Sequence, residues 1–278
     1  MAASERLPEG QGFTVERVTM ESAGQLWLAL TRRHTGSAEL FAAMASDVVG
    51  ALDDWASTGA TEAKLLRVFV GRVGAWQEFM RKGSLVLAPE AEIGLIGELT
   101  LLRALIDAGM LPSSAVESWV GPLDGAQDFE LGTGALEVKA TLATVGFPAR
   151  IGSLEQLDDS LRQPLFLAGV RLRQTGTGRS LPDLVAAIRE AVKDDAEAVR
   201  LLSERLLRVG YFDAHVDHYA RRFTLAETRV FEVREGFPRL TPGRVPAGIS
   251  RATYELDLDK ISGDNVAAVD VFKKLGAI

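Results

Sequence analysis

The sequence predicts an α/β fold in which helices flank a mixed central sheet. Three observations support this prediction: a long amphipathic helix at residues 89–109, a hairpin of two short strands at 126–131 and 134–141, and an apolar strand at 164–172. A short helix, predicted at 153–162, would connect the hairpin to the last strand. Strands joined by a helical crossover pair in parallel, whereas the hairpin is antiparallel. We therefore expect a mixed sheet.

The helix at residues 89–109 is recognised by its apolar spacing and by its first residue. Its apolar residues recur every three or four positions, which predicts one buried face. These residues are Leu95, Leu99, Leu102 and Ile106. Pro89 suits the first helical position. Gly94 and Gly97 each cost about 1 kcal/mol relative to alanine, which indicates close packing of the helix on another element. Glu98 adjoins the buried face.

A glycine turn, Gly132-Thr133-Gly134, separates the two strands of the hairpin. Side chains alternate across a strand, so Glu137, Lys139 and Thr141 share one face of the second strand. Asp128 lies nine residues before Glu137 on the first strand. The hairpin therefore brings two carboxylates and an amine close together.

Two neighbouring carboxylates repel one another unless a cation neutralises them or one of them is protonated. Mg²⁺ suits such a site because it prefers hard oxygen ligands and keeps several water molecules. Lys139 would then orient an attacking water or offset the charge that develops on a phosphate. The set predicts metal-assisted hydrolysis of a phosphodiester. The alternative is a surface hairpin that carries a solvated ion pair between Glu137 and Lys139.

These residues resemble the PD-(D/E)XK nuclease superfamily. More narrowly, the chain is similar to a family of bacterial "PD-(D/E)XK motif proteins" found with restriction and phage-defence genes. The likeness covers most of the chain loosely, including Trp76 with Phe79, and residues 90–172 specifically. It rests on Glu98 in its glycine-containing helix, on Asp128 and on Glu137-Val138-Lys139. One departure is Gln127, which stands where the superfamily pattern has a proline.

The resemblance implies a restriction-endonuclease-like core with a defined set of site residues. Asp128 and Glu137 would hold Mg²⁺, for which Mn²⁺ would substitute, and Glu98 would support the metal shell as a third carboxylate. Lys139 would assist the nucleophilic water. The resemblance also implies DNA as the substrate and ATPase or methyltransferase subunits as possible partners. A homodimer is a further possibility.

Five other residues are candidate substrate contacts. Gln156 follows the lysine strand, where some relatives carry a glutamine that contacts DNA or the site; a helix-surface glutamine is the alternative. The loop at 239–251 contains three arginines and no acid, so it could reach a phosphate backbone, although a solvated turn would look the same. The five residues are Gln156, Thr141, Arg239, Arg244 and Arg251.

The rest of the chain is predicted to add to a nuclease core at residues 86–175. An N-terminal α/β subdomain covers 1–85 and a helical and antiparallel extension covers 176–278. We expect further strands at 25–33, 116–120, 221–226, 228–235 and 252–258. We expect further helices at 37–57, at 61–82 and at 183–209, the last broken near 193–195.

His215 and His218, with Asp217 between them, could form a small metal or acid–base cluster. Zinc normally needs a third or fourth ligand, and the chain has no cysteine to provide one. We therefore favour histidines at the surface or in a subunit contact.

Composition limits location and partners. The chain has 278 residues, of which 47% are hydrophobic, and no cysteine, which excludes disulfides and thiolate metal sites. It has neither a signal-peptide pattern nor an apolar run long enough to span a bilayer. We expect a soluble cytoplasmic protein without membrane partners. The net charge of −7 argues against extensive non-specific DNA binding, although a basic stripe can be local.

Three functions remain open from the sequence. The first is an Mg²⁺-dependent DNA endonuclease of a restriction or phage-defence system. The second is a non-catalytic subunit that keeps the nuclease fold and serves a partner complex. The presence of both acids and the lysine argues against it, because a decayed site usually loses one of them. The third is a metal-dependent hydrolase of small phosphate esters.

Overall fold

The computed structural model describes residues 7–10, 12–19, 26–263 and 265–278. They form two compact units. Unit 1 contains the described residues up to Val86 and the segment Ser203–Phe212, and unit 2 contains Leu87–Leu202 and Asp213–Ile278. The expected boundary at residue 85 lies next to Val86. The expected boundary at 175 falls inside a long strand of unit 2, and residues 203–212 join unit 1 rather than a C-terminal extension.

Unit 1 consists of an antiparallel hairpin, two long helices and the end of a third. Its elements are β1 (Phe13–Thr19), β2 (Leu26–Arg32), α1 (Ala38–Ser57) and α2 (Glu62–Arg81). Ser37 and Thr61 cap the two helices by accepting hydrogen bonds from backbone N–H groups three residues later. The two predicted helices and the predicted strand β2 are thus all present in the structure. Gln25, the first residue expected in β2, lies outside the described residues. Strand β1 was not predicted from the sequence.

Unit 2 contains most of the remaining elements and the whole candidate site. Its helices are α3 (Pro89–Asp107), α4 (Pro112–Ser118), α5 (Leu181–Val192), α6 (Ala196–Val209, which ends in unit 1) and α7 (Ala268–Lys274). Its strands are β3 (Phe129–Leu131), β4 (Gly134–Thr141), β5 (Pro148–Ile151), β6 (Leu165–Arg179), β7 (Phe223–Glu232) and β8 (Tyr254–Asp257). The long helical region breaks between Val192 and Ala196, as the sequence predicts.

The main sheet has the strand order β3-β4-β6-β7. The pairs β3–β4 and β6–β7 are antiparallel, and β4–β6 is parallel. This confirms the mixed sheet. A core cluster buries Phe147, Leu157, Leu167 and Leu258 between the main sheet and the small antiparallel sheet β5–β8. Within the described ranges, no helix is long and apolar enough to cross a membrane.

Helix α3 lies against β4 at Gly97. A Cβ atom added to Gly97 would lie 2.8 Å from Ala140 Cβ, closer than real side chains approach, so this glycine permits the contact. A Cβ atom added to Gly94 would meet nothing within 4 Å. The expectation of close packing is correct for Gly97 and wrong for Gly94.

The two glycines therefore predict opposite effects of alanine. We expect Gly97→Ala to lower the free energy of unfolding by about 1–3 kcal/mol, because helix and strand must separate. We expect Gly94→Ala to raise it by about 0.5–1 kcal/mol through the intrinsic preference of alanine for helix. Urea denaturation of both variants tests this, and equal stabilities would contradict the packing argument.

The strand expected at 116–120 is wrong. Pro112 begins helix α4 instead, and its buried residues Ala115, Val116 and Ser118 follow helical spacing rather than alternation. Trp119 then makes only an isolated bridge to Phe129. A short apolar run does not distinguish a strand from a buried helical turn by periodicity.

The helix expected at 153–162 is also wrong, because this segment is a series of turns. Ser153 Oγ accepts from Glu155 N at 3.3 Å, and Asp158 Oδ1 accepts from Ser160 N at 3.1 Å. Such side-chain bonds to the backbone two residues later compete with helix formation. The chain therefore passes from β4 to its parallel neighbour β6 through β5 and these turns.

The antiparallel strands of the C-terminal region pair differently from the prediction. The segments expected at 221–226 and 228–235 form one strand, β7, which lies beside β6. Strand β8, expected at 252–258, pairs with β5 in a separate sheet. Alternation of apolar residues predicts strands but does not encode which distant strand each one joins.

Candidate active site

Helix α3 and the β3–β4 hairpin bring the predicted acids and lysine into one electrostatic group within unit 2. Glu98 lies on α3, Asp128 precedes β3, and Glu137 and Lys139 lie on β4. Lys139 Nζ lies 2.5 Å from Glu137 Oε1, and Asp128 Oδ2 accepts a hydrogen bond from Val138 N, between these two residues. A Cβ atom added to Gly121 would lie within 3.3 Å of both Asp128 Oδ1 and Glu98 Oε2. The structure therefore brings the four residues of the predicted set together.

Glu137 and Lys139 form an ion pair away from solvent. Glu137 Oε1 lies 2.5 Å from Lys139 Nζ, and their side chains are 1% and 17% exposed. The other oxygen of Glu137, Oε2, is buried and has no hydrogen-bond partner in the described part of the chain. The pair is therefore buried. This excludes the alternative interpretation, a surface hairpin with a solvated ion pair between Glu137 and Lys139.

Asp128 is fastened to both neighbouring segments. Its Oδ2 accepts a hydrogen bond from Val138 N at 2.7 Å, which ties the carboxylate to strand β4. Its backbone carbonyl accepts from Val120 N at 2.8 Å and from Gly121 N at 3.0 Å. These bonds explain how a residue outside the regular part of β3 keeps a fixed position.

Glu98 is held by Trp119, a residue that the sequence analysis placed only in a strand. Trp119 Nε1 donates to Glu98 Oε2 at 2.7 Å, and the indole is fully buried. A buried tryptophan N–H usually requires an acceptor, but the sequence alone does not indicate which one. Trp119 is therefore a site residue that only the fold reveals.

The carboxyl groups of the site have raised pKa values because burial disfavours their charged forms. Burial and the charge of Asp128 raise the pKa of Glu98 to about 8, although the Trp119 hydrogen bond opposes the shift. Burial, then Asp128, raises the pKa of Glu137 well above its usual value. Burial also raises the pKa of Asp128, against the effects of Lys139 and Val138 N–H. One lysine does not neutralise three acids.

Trp119→Phe should raise the pKa of Glu98 further, because it removes the hydrogen bond that lowers this value. The carboxyl ¹³C signal of Glu98, followed by NMR as pH rises, measures the change. Trp76→Phe is the matched control, since Trp76 Nε1 donates to Asp47 Oδ2 at 2.7 Å in unit 1. Both variants should lose about 1 kcal/mol of stability. An unchanged Glu98 titration in Trp119→Phe would contradict the proposed role of this bond.

The donor atoms of the site fit a hard divalent cation. A Cβ atom added to Gly121 would lie 2.9 Å from Asp128 Oδ1 and 3.3 Å from Glu98 Oε2, so the glycine leaves space beside both carboxylates. Glu137 Oε2 adds an oxygen without a donor. However, no three Asp, Glu or His side chains among the residues described are already placed to hold a metal ion. The residues fit Mg²⁺ in type, while a closed three-ligand cluster is not formed.

A family model described as "Putative PD-(D/E)XK family member, (DUF4420)" matches residues 3–259. The chain belongs to this family. The predicted resemblance to the PD-(D/E)XK superfamily is therefore confirmed, and the match covers nearly the whole chain, as the loose likeness outside residues 90–172 indicated. Searches of curated proteins and of solved structures gave no match.

Among the candidate substrate contacts of this PD-(D/E)XK chain, Gln156 reaches Lys139 on strand β4. Its Oε1 accepts from Lys139 Nζ at 3.0 Å and from Gly152 N at 2.7 Å. Gln156 lies in a turn, so the alternative of a helix-surface glutamine is wrong. Thr141 shares the Lys139 face of β4, but its Oγ1 accepts from Ala143 N at 3.0 Å and so stabilises the chain after the strand.

The basic loop does not place its arginines as expected. The side chain of Arg239 is 4% exposed, and its Nη2 lies 3.0 Å from Asp159 Oδ1. Its Nη1 donates to Leu157 O at 2.8 Å. The guanidinium is therefore held against protein acceptors, and the DNA contact of Arg239 stays a prediction that this arrangement does not support. Arg244 and Arg251 are exposed, and the contacts found for the four acid and lysine residues involve neither of them.

His215 and His218 lie on a short 3₁₀ helix, Asp213–His218, with ring centroids 6.2 Å apart. Across the described chain segments, no third His, Asp or Glu joins them in metal-binding geometry. Burial, then the charge of His218, lowers the pKa of His215. The pair is separate from the PD-(D/E)XK residues in sequence and has no contact with them among those the structure shows.

Proposed function

We propose that this chain is a divalent-metal-dependent DNA endonuclease. The observation that supports it is the joint placement of Glu98, Asp128, Glu137 and Lys139, three acids with one lysine, at the α3–β4 junction. Removing uncompensated carboxylates from water destabilises a fold. Binding of a divalent cation would compensate the charge of these carboxylates and so explains why they lie together. Membership of the PD-(D/E)XK family agrees with this explanation.

Mg²⁺ would be held by Asp128 and Glu137, with Glu98 in support, and would neutralise phosphate charge and activate water. Lys139 has its pKa raised by Glu137, Asp128 and Glu98 against the opposing effect of burial, so it stays protonated at neutral pH. It therefore acts as a hydrogen-bond donor and a charge, not as a base. Its ammonium can orient the water that attacks phosphorus or stabilise the phosphate oxygens as the P–O bond breaks.

We also propose DNA as the polymer that is cut, in a restriction or phage-defence system. Support for DNA and for this setting comes from the resemblance to PD-(D/E)XK proteins. ATPase or methyltransferase subunits, or a second copy of the chain, are the proposed partners. A net charge of −7 means that DNA affinity would depend on local cations and would fall steeply with salt.

Cleavage of supercoiled plasmid by the full chain tests the proposal. Mg²⁺ or Mn²⁺ should support nicking or linearisation, EDTA should stop it, and Asp128→Asn should remove it. Parallel assays with nucleotides and p-nitrophenyl phosphate separate a small-ester hydrolase from a nuclease. Metal-dependent hydrolysis of those esters without DNA cleavage would overturn the choice of substrate. Absence of metal binding by calorimetry together with absence of cleavage would favour a non-catalytic subunit.

A further inference from the structure

Gln127 connects the segment of Asp128, just before β3, to the turn after β5. It is 6% exposed and stands where the superfamily pattern has a proline. Its Nε2 donates to the carbonyl of Glu155 at 3.0 Å and also reaches the carbonyl of Gln156 at 3.4 Å. A proline has no group that could make these contacts. The departure from the family pattern therefore adds a specific connection within the site.

The turn at residues 152–157 presents Gln156 to Lys139. Gln156 Oε1 accepts from both Lys139 Nζ and Gly152 N, so one oxygen bridges the lysine and the backbone of the turn. Leu154 and Leu157 are buried beneath it. Because the segment is not helical, its own backbone ladder does not set its position. Contacts from other parts of unit 2 must do so.

Three side chains fasten this turn from outside it. Gln127 Nε2 donates to the carbonyls of Glu155 and Gln156, Arg239 Nη1 donates to the carbonyl of Leu157 at 2.8 Å, and Thr253 Oγ1 donates to the carbonyl of Gly152 at 3.3 Å. Of these three, Gln127 adjoins a predicted metal-binding acid in the chain. It is therefore the residue through which the Asp128 segment and the Lys139 side chain share one arrangement.

We propose that Gln127 is a positioning residue: by fixing the 152–157 turn, it holds Gln156 against Lys139 and so directs the lysine ammonium. This inference rests on the proposed function. An ammonium group has three N–H donors. Lys139 Nζ forms an ion pair with Glu137 Oε1 on one side and donates a hydrogen bond to Gln156 Oε1 on another; these two contacts fix the direction of the ammonium and leave it a donor for substrate or water. A displacement of about 1 Å in such a group can slow turnover by about 10²-fold.

Three variants of the full chain test this in DNA cleavage: Gln127→Met, Gln156→Ala and the double variant. Methionine keeps the length and buried volume of Gln127 but removes its donor. We expect kcat to fall about 10- to 100-fold in Gln127→Met, while the Kd for DNA in non-cleaving Ca²⁺ stays within about twofold. The double variant should be no slower than the slower single variant, because both act through one contact. Fully additive losses would overturn the proposal.

Gln77→Leu is the matched control. Gln77 Nε2 also donates to a backbone carbonyl, that of Glu9 at 2.7 Å, but in unit 1. Its loss removes the same kind of hydrogen bond and should leave kcat unchanged. A comparable fall in kcat in this variant would mean that general destabilisation, not positioning, explains the result for Gln127.

A second measurement does not depend on activity. The Gly152 N–H, which donates a hydrogen bond to Gln156 Oε1, should exchange with solvent at least about tenfold faster in Gln127→Met. The ¹⁵Nζ signal of Lys139 should shift in the same variant. Unchanged Gly152 exchange and an unchanged Lys139 signal would overturn the inference even if cleavage fell. If the wild type cleaves no DNA, the proposed function fails, while these two signals still decide whether Gln127 positions Lys139.

Discussion

Lys139→Ala should reduce DNA cleavage at saturating Mg²⁺ by at least about 10²–10³-fold, the usual loss when one preorganised donor to the transition state is removed. Lys139 is the only cation that contacts Glu137 among those the structure shows, and its pKa is raised, so it carries charge throughout the neutral range. No other described contact would replace its donor. Initial rates of plasmid nicking, measured for both proteins at several Mg²⁺ concentrations, test this.

The experiment needs a control for stability, because Lys139→Ala leaves the buried carboxylate of Glu137 without its cation. Loss of one partner of a buried pair costs about 3–5 kcal/mol. The double variant Glu137→Gln/Lys139→Met removes both charges and should be closer to wild type in stability, yet inactive. Lys274→Ala removes an exposed lysine that pairs with Glu232 at 3.2 Å and should keep full activity. A folded Lys139→Ala protein that cleaves at the wild-type rate would contradict the role of the lysine.

Local sequence patterns were sufficient to predict the framework of the site. The spacing of Leu95, Leu99 and Leu102 identified α3, and all three are buried. The glycine turn identified the β3–β4 hairpin, and alternation placed Glu137 and Lys139 on one face. These signals work because helix period, strand period and turn chemistry are each set by residues near one another in the chain.

The supporting contacts of the site were not predictable in the same way. Trp119 holds Glu98 across 21 residues, and Gln127 reaches the carbonyl of Glu155 across 28. For Arg239 the basic loop predicted a phosphate contact, whereas its side chain pairs with Asp159 at 3.0 Å, a contact that the sequence does not indicate. Such pairs depend on which distant segments the fold brings together. Neither composition nor periodicity records that choice.

The raised pKa values imply that the site opposes folding of the metal-free protein at high pH. The pKa of Glu98 is 4.5 in its usual environment and about 8 in the fold. Below pH 4.5 both the folded and the unfolded chains carry the proton, so no stability is lost. As pH rises from 4.5 to about 8, the unfolded chain releases its proton first and stability falls. At about 1.4 kcal/mol for each pKa unit, the loss from this group is on the order of a few kcal/mol.

Glu98→Gln should therefore stabilise the metal-free protein, with a gain that grows from pH 5 to pH 9. Glutamine keeps an oxygen that can accept from Trp119 Nε1 and carries no charge to repel Asp128. Urea denaturation in EDTA at several pH values measures the difference between wild type and variant. Curves that run parallel across this range would contradict the raised pKa of Glu98.

Mg²⁺ should restore the folding stability that the wild-type protein loses as pH rises. The gain should be larger at pH 8 than at pH 6, because metal ions bind ionised carboxylates. At a Mg²⁺ concentration one hundred times its Kd, the expected gain is about 2.7 kcal/mol. Glu98→Gln should show a smaller gain. Glu92→Gln is the control on the same helix, because Glu92 is also buried but pairs with Arg221, 2.5 Å away. Glu92→Gln should lower the free energy of unfolding without changing the response to Mg²⁺. Equal responses to Mg²⁺ in wild type and Glu98→Gln would remove Glu98 from the metal site and leave Asp128 and Glu137 as its proposed ligands.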